Sequence, residues 1–206
     1  VRFTKILSRQ EKQMILKPVI IDNWYTKQEL KKVYKELDFY STKEKLITQH
    51  GNVAVKEGRD QADCYRVNLD SYYTQDGKKL SDILTFMYKM RETEFHDRIT
   101  NVCGIYNGFR NTSRSSSMIA YYEDTQYYEP HTDTCKYSIL IWVNKEPKKF
   151  TGGDLILPDL KTKIECKNNR LVLFPGMIFH EVTEIKMKGK YKMGDGRYCI
   201  VHFFEG

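Results

Sequence analysis

Residues 127–145 read YYEPHTDTCKYSILIWVNK. The stretch predicts two β-strands with a turn between them, the second as apolar as YSILIWV. His131 and Asp133 stand two positions apart, and on a strand that spacing points both at one face. An imidazole and a carboxylate aimed at one place suit a metal ion better than a core contact. One carboxylate and two imidazoles on one face of an octahedral ion leave three positions open. His131 and Asp133 supply two such ligands, and the third has to come from elsewhere.

The chain has five histidines: His50, His96, His131, His180 and His202. His50 lies in a polar, loop-like stretch and His96 in a charged helical one. His202 sits in the last predicted strand and reads as structural. His180 follows a Pro-Gly turn in LVLFPGMIFHEV, on a strand of its own. By strand order it lies in the seventh of eight against the second, and in a double-stranded roll those two can be neighbours. A lone His-x-Asp is a weak signal, and most strand histidines are ordinary packed side chains, so spacing alone does not settle the triad.

Working outward, the period is two from about residue 110 onward. Predicted strands cover 116–122, 127–133, 137–144, 152–157, 161–166, 169–174, 178–184 and 196–204, separated by turn signals such as EPKKFTGG, KNN and KGKYKMGDG. Eight short strands so spaced suggest a sandwich or barrel. Before residue 110 the helical period appears. VIID (19–22) reads as a strand, followed by a helix that Thr26 and Glu29 open as an N-cap and its box partner. A second helix is predicted over about 80–98, capped by Ser81. NVAVKE and DCYRVNL read as strands, and SYYTQDGKK as a loop. With no repeat or linker, the chain reads as one domain over 1–206: a helical and mixed part over 1–110 packed outside a β core over 111–206.

Composition bounds the class. With 206 residues, 40% hydrophobic and 30% charged, the chain describes a globular fold with room for one sizeable core. No apolar run approaches the roughly 20 residues that cross a bilayer, and the N-terminal stretch has no apolar core of signal-peptide type. The first residue is Val, which reads as an initiator Met removed or a trimmed chain. Five cysteines with no C-x-x-C pair argue against a disulfide framework and for a reducing, cytoplasmic setting. Cys135, two residues past Asp133, is the one thiol considered for a chemical role. The net charge of +7 permits a polyanionic partner. Its 24 Lys against 10 Arg are scattered, however, which does not favour nucleic-acid recognition.

Residues 116–204 resemble the iron(II)- and 2-oxoglutarate-dependent oxygenases, most closely their prolyl 4-hydroxylase branch. Four motifs occur in order: YEDTQYYEPHTD, TGGDLILPD, NRLVLFPGMIFHEVTEI and GRYCIVHFF. The opening VIIDNWYTKQEL resembles the strand and helix that often precede this core. The resemblance implies a mainly β fold with flanking helices (α+β), a double-stranded β-helix or jelly-roll core with N-terminal helices outside. It implies His131, Asp133 and His180 as Fe(II) ligands and Arg197 as the residue pairing with the far carboxylate of 2-oxoglutarate. Tyr122 is implied as the tyrosine steadying that cosubstrate, with Tyr121 facing away. It further implies C–H hydroxylation with O2 as second cosubstrate and ascorbate as a candidate reductant, on a protein, peptide or small-molecule substrate. The 181–196 segment is longer than in typical prolyl hydroxylases, and Lys190 stands where some members place a cosubstrate lysine. Arg197 is preferred because it opens an apolar strand. Val201 replaces a hydroxyl that relatives often carry. The stretches 56–78 and 106–115, including Arg110 and Arg114, are candidates for substrate selection. Two alternatives stand beside this reading: an oxygenase of nucleobases or nucleic acid, and a non-catalytic, cupin-like metal-binding module.

Overall fold

The computed structural model describes residues 16–42, 44–46, 55–73 and 76–206. Strand β1 (Val19–Asp22) leads into helix α1 (Lys27–Tyr40). The predicted capping box is formed: Glu29 N donates to Thr26 Oγ1, and Thr26 N donates to Glu29 Oε2 at 2.8 Å. Short strands β2 (Val55–Lys56), β3 (Arg59–Asp60), β4 (Ala62–Asp63) and β5 (Tyr65–Asn68) follow. Of the NVAVKE strand, residues 52–54 lie outside the described residues, as does His50. SYYTQDGKK is not a plain loop. Asn68 caps a short helix α2 (Leu69–Tyr72), and a 3₁₀ segment covers Asp76–Leu80.

The helix expected over 80–98 is broken. Ser81 caps α3 (Asp82–Met87), Tyr88–Arg91 tightens into a 3₁₀ turn, and α4 (Thr93–Thr100) starts afresh after an extended Glu92. The reason lies in phase. A straight helix continuing the stripe of Ile83, Met87 and Met90 would turn Glu94 and Asp97 inward. The break rotates Phe95 and Ile99 into the core instead, and both are buried.

The β core comprises β6 (Arg114–Tyr122), β7 (Tyr127–His131), β8 (Tyr137–Val143), β9 (Phe150–Thr151), β10 (Leu155–Leu157), β11 (Thr162–Ile164), β12 (Arg170–Pro175), β13 (His180–Val182), β14 (Lys186–Met187) and β15 (Arg197–Glu205). One sheet runs β1-β12-β8-β15-β6-β5 and a second runs β11-β10-β13-β7-β4. Their pairs are antiparallel. Strands β9 and β14 form a small annex, so the long 181–196 segment is partly a paired excursion.

The large sheet is buried on both faces, which explains why YSILIWV lacks polar alternation. Tyr137, Ile139, Ile141 and Val143 pack with α1, α3 and α4 in one apolar cluster. Leu140 and Trp142 face the space between the sheets, with Val172 and Phe174 of β12. Tyr121 and Tyr122 divide the same way, as the strand period requires. The fold is thus the expected one, mainly β with helices outside a two-sheet roll.

Several strands are shorter than predicted. The strand over 178–184 is confined to His180–Val182, and the one over 127–133 ends at His131. Asp133 is therefore not a strand residue. It lies in the connection to β8, which removes the premise that strand alternation places it beside His131.

A candidate metal centre between two sheets

His180 and His131 are register partners across β13 and β7. Their rings lie 4.1 Å apart. Each Nδ1 donates to a backbone carbonyl two residues upstream, His131 to Glu129 O at 2.8 Å and His180 to Ile178 O at 2.9 Å. A carbonyl only accepts, so both Nδ1 atoms carry a proton, and in the neutral ring Nε2 is the atom left to bind an ion. Both Nε2 atoms face Asp133: His131 Nε2 is 3.8 Å from Oδ1, and His180 Nε2 is 3.4 Å from Oδ2. One ligand atom from each of the three residues falls within 4.8 Å of the other two. Ligands about 2.1 Å from an ion and at right angles lie about 3 Å apart, so a small contraction around an ion closes the set.

Burial makes His131 poor at holding a second proton. The apolar surroundings push the His131 imidazole down to about 4, and His180 beside it adds to that effect. Neutral imidazoles and one carboxylate form a donor set for a divalent ion of intermediate softness. Tyr128 stacks on His131 with centroids 3.6 Å apart and planes 10° from parallel, and Phe174 meets His180 edge-on.

The same cavity holds Arg197. It is 0% exposed, and its Nε donates to Gly153 O at 2.9 Å. Its two terminal nitrogens have no hydrogen-bond partner. Burial works against its charge, but the nearby Cys166 and Cys199 thiols and Tyr122 phenol favour it, and the guanidinium stays protonated. Tyr122, paired with Arg197 in the β15–β6 register, lies under the guanidinium, 4.9 Å from Cζ to ring centre. A buried cation with both outer nitrogens unused fits a carboxylate that arrives with a ligand. The residues present therefore suit both groups implied by the motifs, a divalent ion and a dicarboxylate. The cavity and its mouth span about 470 Å³ of empty space, open solvent at the mouth included.

Lys190 is exposed in the loop after β14 and does not line this cavity. Cys135 is buried beside Ser138, and burial pushes its thiol up to about 11, so it stays protonated and is no nucleophile at neutral pH. His96 and His202 are buried away from the triad, His202 with its Nδ1 2.8 Å from Ser117 Oγ. Arg110 and Arg114 pair with Asp97 and Glu205 of the same chain. Val201 lines the cavity as an apolar wall.

Sequence reasoning missed two polar or aromatic cavity residues, Arg66 and Tyr128, and Ser138, which bonds Asp133. Arg66 is buried on β5, register partner of Ala120, with its guanidinium 5.2 Å from the Tyr128 ring. Alternation in YRVN separates Arg66 from its neighbours, but only the pairing with β6 says which face is the inner one.

Residues 117–205 match the family model described as the 2OG-Fe(II) oxygenase superfamily. No curated protein sequence matches the chain. Among solved structures, a Pseudomonas putida prolyl-4-hydroxylase is similar at 13% identity with a TM-score of 0.63, over 92% of each chain. A Trichoplax adhaerens prolyl hydroxylase, solved with a peptide fragment of the hypoxia inducible factor oxygen degradation domain, is 14% identical with a TM-score of 0.59, over 91% of this chain and 83% of that one. A viral collagen prolyl hydroxylase from Paramecium Bursaria Chlorella virus-1 is 14% identical with a TM-score of 0.55, over 91% and 94%. At such identities the likeness is one of fold. Residues 117–205, somewhat under half of the chain, thus match the 2OG-Fe(II) oxygenase superfamily, and the chain shares its fold with those prolyl hydroxylases.

Proposed function

We propose that this protein is an Fe(II)- and 2-oxoglutarate-dependent dioxygenase that hydroxylates a C–H bond, acting as a prolyl 4-hydroxylase-like enzyme on a protein or peptide. In this reading His131, Asp133 and His180 hold the ferrous ion. Arg197 pairs with the far carboxylate of 2-oxoglutarate, and Tyr122 supports it. The observation that carries the reading is the coexistence, in one buried cavity, of two imidazoles, one carboxylate and a guanidinium with unused donors. The family match over 117–205 and the fold of the prolyl hydroxylases support it. The chain is read as one domain over 1–206, a reading supported among the described residues by the apolar cluster that β1 to β15 share.

When bound, iron, 2-oxoglutarate and O2 together supply the oxidising power that places one oxygen atom in the substrate and releases succinate and carbon dioxide. The chain supplies placement. The backbone carbonyls of Glu129 and Ile178 hold both imidazoles in the tautomer that offers Nε2. Asp133 offsets part of the ion's charge. Arg197 would hold the far carboxylate of the cosubstrate by a paired, charge-assisted contact. Leu140, Val182 and Val201 keep water from the reacting region. Arg66 and Tyr128 stand beside His131 where a substrate would arrive.

Anaerobic addition of Fe(II) and 2-oxoglutarate should produce a visible charge-transfer band. Aerobic assays across prolyl peptides, free amino acids and oligonucleotides, with and without ascorbate, should give substrate-stimulated succinate from the peptide arm. Asp133→Ala should abolish both signals. Turnover unchanged in that variant would refute the ligand assignment. Stimulation by oligonucleotides alone would move the substrate to nucleic acid.

A further inference from the structure

Asp133 lies in a connection, where nothing in strand geometry fixes its side chain, yet the structure grips it at two points. Its N–H donates to Gly176 O at 2.8 Å. Its Oδ2 accepts from Ser138 Oγ at 2.5 Å. Ser138 is wholly buried on β8 and occupies the face that Leu140 and Trp142 also present to the space between the sheets. Apart from it, β8 is apolar throughout. A hydroxyl at such a position costs about 1–3 kcal/mol unless it is bonded, and its partner here is the carboxylate. The Cys135 thiol lies 3.2 Å from the same hydroxyl. Gly176 closes the frame, since a Cβ there would fall 2.4 Å from Cys135 O.

We propose that Ser138 is a positioning residue of the metal centre, holding the Asp133 carboxylate in the rotation that faces both Nε2 atoms. This rests on Asp133 being a metal ligand. Without the hydroxyl, the carboxylate of a connection residue rotates about Cβ–Cγ and has to be ordered when the ion binds. Loss of such an outer partner lowers metal affinity about 10- to 100-fold. The backbone contact to Gly176 remains, so the fold should be kept.

The test is cobalt(II) binding to the full chain, by titration calorimetry and by the visible absorption of bound Co(II), alongside thermal unfolding of the metal-free proteins. Ser138→Ala should weaken Co(II) binding about 10- to 100-fold and alter the band shape, while its metal-free melting temperature stays within a few degrees of the parent. Ser138→Thr, which keeps the hydroxyl, should bind within about threefold of the parent. Ser138→Ala binding within threefold of the parent overturns the proposal. Equal losses in the Ala and Thr variants also overturn it, because they assign Ser138 to packing. Asp133→Ala separates the two levels. If it binds Co(II) as the parent does, the ligand assignment itself fails. If it loses binding while Ser138→Ala does not, only the positioning role falls.

Discussion

Arg197 and Lys190 were both eligible to meet 2-oxoglutarate, and burial separates them. Arg197 opens β15 with its side chain on the inner face, whereas Lys190 points from a solvent loop. Losing a buried, charge-assisted pair costs about 2–5 kcal/mol, so Arg197→Ala should raise the 2-oxoglutarate concentration for half-maximal turnover about 30-fold or more. Lys190→Ala should leave it unchanged. Arg197→Lys should recover little, because an ammonium lacks the planar fork. Gly153 is coupled to the same residue. It has φ of +72°, and a Cβ on it would lie 2.6 Å from Arg197 Cδ. Gly153→Ala should therefore raise the same half-saturation value. Steady-state kinetics on all four proteins measure both effects.

At the scale of elements, α1 rests on a capping box that the sequence announces through Thr26 and Glu29. Thr26→Ala removes the acceptor for Glu29 N–H and should cost about 1 kcal/mol of unfolding free energy in urea. Iron and 2-oxoglutarate affinity should be untouched, because α1 lies behind the large sheet. β8 behaves differently. Its seven residues are all buried, and alternate positions serve separate clusters. Trp142→Ala should cost about 3–5 kcal/mol, and should also loosen the Arg197 site, whose guanidinium lies 5.6 Å from the indole. The broken helix over 82–100 shows where sequence periodicity misleads. Each half has a helical stripe, but the two stripes are out of phase, and only packing on the sheet reveals the break.

For the whole molecule, His202 provides a reporter. It is 0% exposed between β15 and the helical layer, and burial pushes it down to about 4. The Asp70 carboxylate favours the charged form but only partly offsets burial. The folded pKa thus lies below the ordinary value, near 6.5. As pH falls through that ordinary value the unfolded chain binds the proton first. Stability is full above about 6.5 and is lost progressively down to about 4, by up to about 3 kcal/mol. Urea unfolding of the metal-free protein from pH 7.5 downward should show this decline, with a shallower one in His202→Leu. Parallel slopes for the two proteins between pH 6.5 and 5 would count against it. The +7 net charge belongs to this scale as well, acting on solubility and encounter rather than on the cavity.

The sequence by itself determined the class of fold, the order of the four motifs and the three candidate ligand residues. Strand alternation, turn residues and local spacing are encoded within a few positions of each other. Tertiary structure alone decided the rest. It joined His180 to His131 across neighbouring strands, took Asp133 off the strand, and supplied Ser138 to steady it. It also buried Arg197 in the cavity, left Lys190 in solvent and turned Arg66 inward. Each of those outcomes depends on which strand lies next to which, and so on the energy of burying two faces of one sheet at once. A window of local sequence does not contain that information.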